Sequence, residues 1–260
     1  MNTHVFRYVC FALGILLGIA CSISQSHALD QTGLLLYMPF DGDANDASGN
    51  GNDGETKEST AWVAGQFGQA LKVNGDGYVE IPHNDSLSIK RDFTIELWVN
   101  MEDLHNTNSS FVTKPDSYMF HVDGEPESAT PEYFLCEPLV WVGGFDDWRT
   151  TANVKVPMNE WAHVATIYDG TEHRTYVNGE LKGTYVRSVG GDLDSNTDPV
   201  VIGKDNRTCC NTRLMTATLD EVRVWTRVLS DAEMKAAMNP TAVEAKDKLA
   251  ATWARIKKTQ

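Results

Sequence analysis

The sequence predicts an all-β protein, folded as a two-sheet antiparallel sandwich with a short C-terminal helix and tail. Three observations carry this expectation. Twenty glycines among 260 residues, with abundant Asn and Asp, make the chain rich in turns. Apolar and polar residues alternate with period two in several stretches. Helical spacing occurs only near the C-terminus. Hydrophobic residues make up 42% and charged residues 22%, an ordinary globular balance that argues against disorder throughout.

Residues 1–28 read as a secretory signal peptide. His4 and Arg7 precede an uncharged stretch from Tyr8 to Cys21, and Ser26-His27-Ala28 offers a small-x-small exit. The apolar core, Val9 to Ala20, is too short to span a bilayer, and no later segment is longer, so the chain is expected not to be membrane-spanning. Export places it outside the cell or in a periplasm. Lipid anchoring at Cys21 is the weaker reading, because Gly18 stands where that signal wants Leu. Residues 29–240 then form one domain and 241–260 a tail.

Within the domain, Leu34 to Phe40 is an apolar run suited to a buried strand. Asp41 to Glu55 is almost without apolar side chains and reads as a surface loop. Gln69 to Val73 and Tyr78 to Ile81 flank Asn74-Gly75-Asp76-Gly77, which predicts a hairpin. Phe93 to Val99 alternates, with Phe93, Ile95, Leu97 and Val99 on one face. Glu160 to Asp169 repeats that pattern. His173 to Val177 and Leu181 to Val186 are joined by Asn178-Gly179, the strongest short hairpin signal. Val200 to Ile202 and Ala217 to Val228 add strands. Ser230-Asp231-Ala232-Glu233 is a capping box that opens a helix stopped by Asn239-Pro240. In the tail Leu249, Trp253 and Ile256 fall at helical spacing, as an amphipathic segment that docks a partner protein or as a frayed end.

Net charge is 22 − 36 = −14. A chain this acidic has no long-range attraction for phosphate backbones, so no nucleic-acid partner is expected. Cys136, Cys209 and Cys210 follow the leader. Adjacent Cα atoms about 3.8 Å apart make a Cys209–Cys210 bond unfavourable. The expected disulfide therefore joins Cys136 to one of the two, with three partly buried thiols as the alternative. These cysteines are too few ligands for zinc.

Three segments, LYMPFDGDANDASGNGNDG from Leu36, GQFGQALKVNGDGYVEIPHNDSLSIKRDFTIELWV from Gly65 and LDEVRVWTRVLSDAEMKAA from Leu219, together with EWAHVATIYDGTEHRTYVNGE from Glu160, resemble the laminin-G-like, concanavalin-A-like jelly rolls of bacterial secreted proteins. The resemblance covers roughly Leu34 to Met238 and implies a jelly-roll sandwich. It is weak on the ligand, because that fold hosts lectins, enzymes and adhesion modules alike.

The loop Asp41 to Glu55 is dense in hard oxygen donors of the kind Ca²⁺ prefers. An EF-hand is excluded, because Asp46 stands at the required Gly, Asn52 at the required Glu, and the flanks are strands. The resemblance implies instead one structural Ca²⁺ between this loop and the LDEV strand, held by Asp46, Asn50, Asn52 and Asp220. The alternative is a solvated acidic turn.

For ligand binding, the segment Trp141 to Arg149 mixes aromatics, glycines, acids and a base. A sugar needs a flat aromatic face and polar groups for its hydroxyls, which Trp148 with Asp146, Asp147 and Arg149 can supply. Trp141 is expected in the core, as are Trp62, Trp98, Trp161 and Trp225. The polar loop Asp205 to Arg213 is a further candidate edge.

Catalytic patterns are missing. Sandwich glucanases carry alternating acids on one strand, whereas Glu96 stands alone and Glu125, Glu127, Glu132 and Glu137 form no such array. Neither a Gly-x-Ser-x-Gly elbow nor a His-Glu-x-x-His helix occurs. His163 and His173 are expected to face each other across a hairpin as ordinary strand residues. The leading expectation is a secreted, non-catalytic module that binds a glycan or glycoprotein surface. The alternatives are a polysaccharide-active hydrolase or lyase using Glu96 or Glu137, and an adhesion unit without a sugar site.

Overall fold

The computed structural model describes residues 29–124, 130–146, 154–187, 190–210 and 213–239. The leader, Cys21 and the tail 241–260 lie outside the described residues. The first strands are β1 (Leu34–Met38), β2 (Glu55–Lys57), β3 (Thr60–Ala64), β4 (Gln69–Val73) and β5 (Tyr78–Ile81). The central ones are β6 (Phe93–Asp103), β7 (Ser109–Lys114), β8 (Tyr118–Asp123), β9 (Tyr133–Val142), β10 (Phe145–Asp146) and β11 (Lys155–Pro157). The last are β12 (Trp161–Tyr168), β13 (Glu172–Val177), β14 (Glu180–Val186), β15 (Val200–Ile202) and β16 (Thr216–Trp225), before the helix α1 (Asp231–Ala237).

These strands form two eight-stranded antiparallel sheets. One runs β14-β13-β12-β6-β16-β4-β3, with β1 also on β16; the other runs β10-β9-β8-β7-β15-β5-β2, with β11 also on β9. This is the expected jelly-roll sandwich. Between the sheets lies the main core. Phe93, Ile95, Leu97 and Val99 of β6 meet Phe120, Val122, Phe134 and Val140 there, as the alternation requires.

The Asn178-Gly179 hairpin forms with both residues left-handed, φ +51° and +71°, and Val177 opposite Glu180. The Asn74–Gly77 hairpin does not. β4 pairs with β3 and β16 in the first sheet, while β5 pairs with β2 and β15 in the second. The turn therefore crosses the sandwich. Leu71 and Val73 on one side and Val79 and Ile81 on the other then all reach the common core, which a flat hairpin would not have allowed. Register also separates His163 from His173: the latter lies opposite Tyr168, and His163 pairs with Trp98 of β6.

The outer face of the first sheet is sealed by α1. Ser230 Oγ accepts from the Glu233 N–H at 3.3 Å, and Glu233 Oε2 accepts from the Ser230 N–H at 2.9 Å, completing the capping box. Arg227 bonds this glutamate and holds its carboxyl down to about 2, while also donating to the carbonyls of Asp30 and Thr32. The start of the domain is thereby tied to its helix. Beneath α1, Trp225, Leu229, Met234 and Ala237 pack with Ala165, Ile167 and Tyr176. Trp225 and Trp98 thus sit under the helix end, not between the sheets.

Beside this apolar patch lies a buried ionic network. A bulge in β16, with Glu221 at φ +54°, shifts register between Asp220 and Arg223. It leaves Glu221 and Arg223 beside Glu96. Arg223 Nη1 donates to Glu96 Oε1 at 3.0 Å and to the Ala237 carbonyl at 3.2 Å, and Nη2 donates to Glu221. His163 Nε2 meets Glu96 Oε2 at 2.6 Å, and the Tyr37 hydroxyl donates to Glu221 at 2.7 Å. Arg223 also lies 4.4 Å from the Tyr37 ring centroid. Burial pushes the Glu96 carboxyl up, but Arg223 and His163 outweigh it and hold it below the usual carboxylate range.

Removing the shared cation strands two buried carboxylates. Arg223→Met is therefore expected to cost about 3–5 kcal/mol, read as a lowered urea midpoint at unchanged slope. A loss under about 1 kcal/mol contradicts the network's role.

Candidate functional site

The outer face of the second sheet carries no helix among the described residues. Along β9, Phe134, Cys136, Val140 and Val142 point into the main core. The alternate residues Leu139 and Trp141 point outward and form a small separate cluster with Met119 of β8. Trp141 is buried as expected, 7% exposed, but in this small cluster on the outer side of the sheet and not between the sheets.

The turn after it is rigid. Gly143 and Gly144 are left-handed at φ +61° and +79°. Their N–H groups donate to both carboxylate oxygens of Asp194, at 2.9 and 2.7 Å. This returns the chain into β10, where Asp146 lies directly opposite Trp141 and Phe145 opposite Val142. Asp146 is exposed and on the face of Trp141. Phe145 is 77% exposed. Asp147, Trp148 and Arg149, also expected at this site, lie outside the described residues.

The loop after β15 folds over the same surface. Lys204 Nζ stands 5.0 Å from the Tyr78 ring centroid and the Arg207 guanidinium 5.3 Å from that of Trp141. Asp205, fully buried, accepts from Arg207 Nε and Nη2 at 2.9 and 2.8 Å, and from Arg213 at 2.9 Å. Burial pushes its carboxyl up, but Arg207 outweighs this and the net direction is down. Nearby His121 is buried and held down to about 3 chiefly by that burial, so its imidazole is neutral at physiological pH. Trp141, Asp146 and Arg207 together supply a flat aromatic ring, a carboxylate and a guanidinium, the chemistry expected of Trp148 and its neighbours.

The expected disulfide is corrected. Cys209 bonds Cys210, and Cys136 is a buried free thiol. Strand parity is the reason. Cys136 faces the main core with Val122 opposite, whereas Cys209 and Cys210 ride on the loop over the other face. Burial pushes the Cys136 thiol up, far from a reactive range.

The residues expected to ligate Ca²⁺ have other partners. Asp46 Oδ1 accepts from the N–H groups of Tyr37 and Ser48, and Oδ2 from Ser48 Oγ and the Asn52 N–H. Four donors occupy its four lone-pair sites. Asn50 and Asn52 turn their amide N–H groups to backbone carbonyls of β1. Asp220 Oδ2 accepts from the Phe67 N–H at 2.8 Å. In this arrangement Asp46, Asn50 and Asn52 lock one loop, Asp220 anchors another turn, and the four do not fit a calcium ligand set.

Glu96, the carboxylate nominated for catalysis, is fully buried and bonded on both oxygens. It cannot reach a substrate. Glu137 is part-buried on β9, opposite His121. A cleft of 380 Å³, lined by Glu102, Leu104, Pro131, Met158 and Asn159 among others, opens beside the start of β9. That is the opposite end of this ten-residue strand from Trp141, roughly 30 Å away.

Comparison with known proteins fixes the family. Residues 73–235 match the model described as the concanavalin A-like lectin/glucanases superfamily, of the laminin G type. The chain belongs to this family. Human pentraxin-related protein PTX3 is 25% identical over 153 residues, which are 55% of this chain and 38% of that protein, so the match spans well under half of the relative. Among solved structures, domain 4 of AbnA, an extracellular arabinanase from Geobacillus stearothermophilus in complex with arabinotriose, superposes with a TM-score of 0.61 at 19% identity. The match covers 79% of this chain and 98% of that one. The binding domain of Paraclostridial Mosquitocidal Protein 1 gives 0.58 at 15% identity, over 79% of this chain and 51% of that one. At such identities the structural likeness concerns the fold. No helix of the described residues is long and apolar enough to cross a membrane.

The loop geometry makes a direct prediction about calcium. Thermal unfolding in excess EDTA and after Ca²⁺ is restored is expected to give the same melting temperature. A Ca²⁺-specific rise, abolished by Asp220→Ala, would contradict the hydrogen-bonded loop and reinstate the ion.

Proposed function

We propose that this chain is a secreted, non-catalytic binding module that takes a carbohydrate on the outer face of its second sheet. Trp141 is the floor of the site, and Asp146 and Arg207 are its polar walls. The observation that carries the reading is their juxtaposition. The Trp141 ring lies in a small cluster outside the main core, with a carboxylate paired across the ladder and a guanidinium over its face.

The chemistry suits a sugar. The C–H face of a saccharide ring packs on an indole, and its hydroxyls need both acceptors and donors. Asp146 accepts and Arg207 donates. Arg207 lies over the indole, so a ring that binds there takes its place. Asp147, Trp148 and Arg149 continue the chain directly from Asp146 and belong to the same proposed site.

The relatives support a binding role. The AbnA domain is described with a bound arabinotriose, and the mosquitocidal protein fragment is described as a binding domain. The enzymatic alternative loses its Glu96 candidate to the sealed network. Export, read from the leader, would present the site to extracellular glycans.

Screening against oligosaccharide arrays, then calorimetry on the best ligand, tests the reading. Asp146→Ala and Trp141→Phe are each expected to weaken binding about tenfold or more, while leaving the melting temperature close to that of the wild type for Asp146→Ala. Arrays that stay blank, or a ligand whose affinity neither substitution changes, would overturn the assignment.

A further inference from the structure

Among the described residues, Trp141 has no covering helix. Over its ring lies Arg207, of the short loop from Lys204 to Cys210, and one covalent bond constrains that loop. Cys209 and Cys210 are adjacent in sequence and joined. The Cys210 N–H closes a turn onto the Arg207 carbonyl at 2.8 Å, and the Arg213 N–H closes the next onto the Cys210 carbonyl at 3.0 Å. The bonded pair therefore sits at the junction of two turns. One of them takes in Arg207 itself.

The two residues differ in access. Cys209 is exposed and Cys210 is buried. Cys136 faces the opposite side of the sheet and is itself buried. No third described cysteine can reach the pair, so exchange needs a thiol from outside.

We propose that Cys209 is a thiol-exchange site for low-molecular-weight thiols, and that opening the Cys209–Cys210 bond releases Arg207 from Trp141. An external thiolate attacks Sγ of Cys209. A mixed disulfide forms there, the Sγ–Sγ bond breaks, and Cys210 leaves as a thiolate that takes up a proton. A second thiol then attacks the mixed disulfide. It leaves Cys209 as a thiol and departs as the oxidised small-molecule disulfide. In sum the protein gains two hydrogens and two small thiols become one disulfide. Freed of the ring, the peptide between Cys209 and Cys210 regains rotation, and the turn that places Arg207 loosens. Asp205 belongs to the same loop and is paired with Arg207, so the two move together away from Trp141 and the sheet stays folded. The functional consequence, a change in access to the sugar site, rests on the reading of Trp141 as that site's floor. The exchange and the uncovering of Trp141 do not.

The test uses the full chain, folded, treated with reduced glutathione and compared with an untreated sample. Alkylation and trypsin release residues 208–213, which hold both cysteines. This peptide is expected to carry glutathione or two alkylated thiols after treatment and an intact disulfide before it. Acrylamide quenching of the Trp141 contribution, taken as wild type minus Trp141→Phe, is expected to rise about twofold on treatment. Arg207→Ala is expected to show the raised quenching without any thiol, which keeps the test valid if Trp141→Phe folds poorly. A peptide whose disulfide survives glutathione overturns the exchange site. Exchange that leaves quenching unchanged overturns the coupling, and most directly when Arg207→Ala raises it. No sugar enters either readout, so failure here is separate from failure of the carbohydrate reading.

Discussion

Arg223 bridges Glu96 and Glu221 and caps the last turn of α1 through the Ala237 carbonyl. All three charged side chains are essentially without solvent. Charges in such a place persist only when each is paired and hydrogen-bonded, because desolvation otherwise costs several kcal/mol per ion. The pairing demands the bulge in β16, the neighbouring position of β6, and the helix end lying across both. His163 and Tyr37 then bring in β12 and β1. One cation thus fixes four strands and the C-terminal helix relative to each other. The helix cap and Arg227 extend the same constraint to residues 30–32, near the start of the domain.

That constraint decides where function can sit. The first sheet's outer face is spent on stability, apolar under the helix and ionic beside it. The second sheet's outer face has a cluster of three apolar residues and a loop clamped by Asp205. Its polar groups are arranged around one aromatic ring. A sandwich with one face sealed by a helix and the other crossed by a loop is the division of labour expected when loops carry recognition on a fixed scaffold.

Local signals in the sequence were legible because local physics makes them. The capping box at Ser230, the Asn178-Gly179 hairpin and the alternation of β6 each concern neighbours within a few residues. The Asn74–Gly77 segment was misread for the converse reason. Four turn residues announce a reversal, but nothing local says whether the next strand stays in the same sheet or enters the facing one. Trp141 is buried as expected, but its cluster is separate from the main core, and sequence cannot tell the two apart because β9 is apolar on both faces, with Val140 and Val142 inward and Leu139 and Trp141 outward. A strand covered on both sides loses the alternation that tells its faces apart. Parity alone would have separated Cys136 from Trp141, and hence from the loop above it. The acidic loop at Asp41 to Glu55 showed its oxygen donors, but not that backbone N–H groups would claim them. Distant in sequence, Arg207 could be placed over Trp141 only by the fold.

The most direct measurement is a crystal structure of the protein with a bound oligosaccharide that binds in solution. The account predicts a sugar ring on the indole of Trp141, between Asp146 and a displaced Arg207, with the β9–β10 hairpin unmoved. A sugar found instead in the cleft beside Leu104 and Met158, or against the first sheet, with Arg207 still stacked on Trp141, would contradict it.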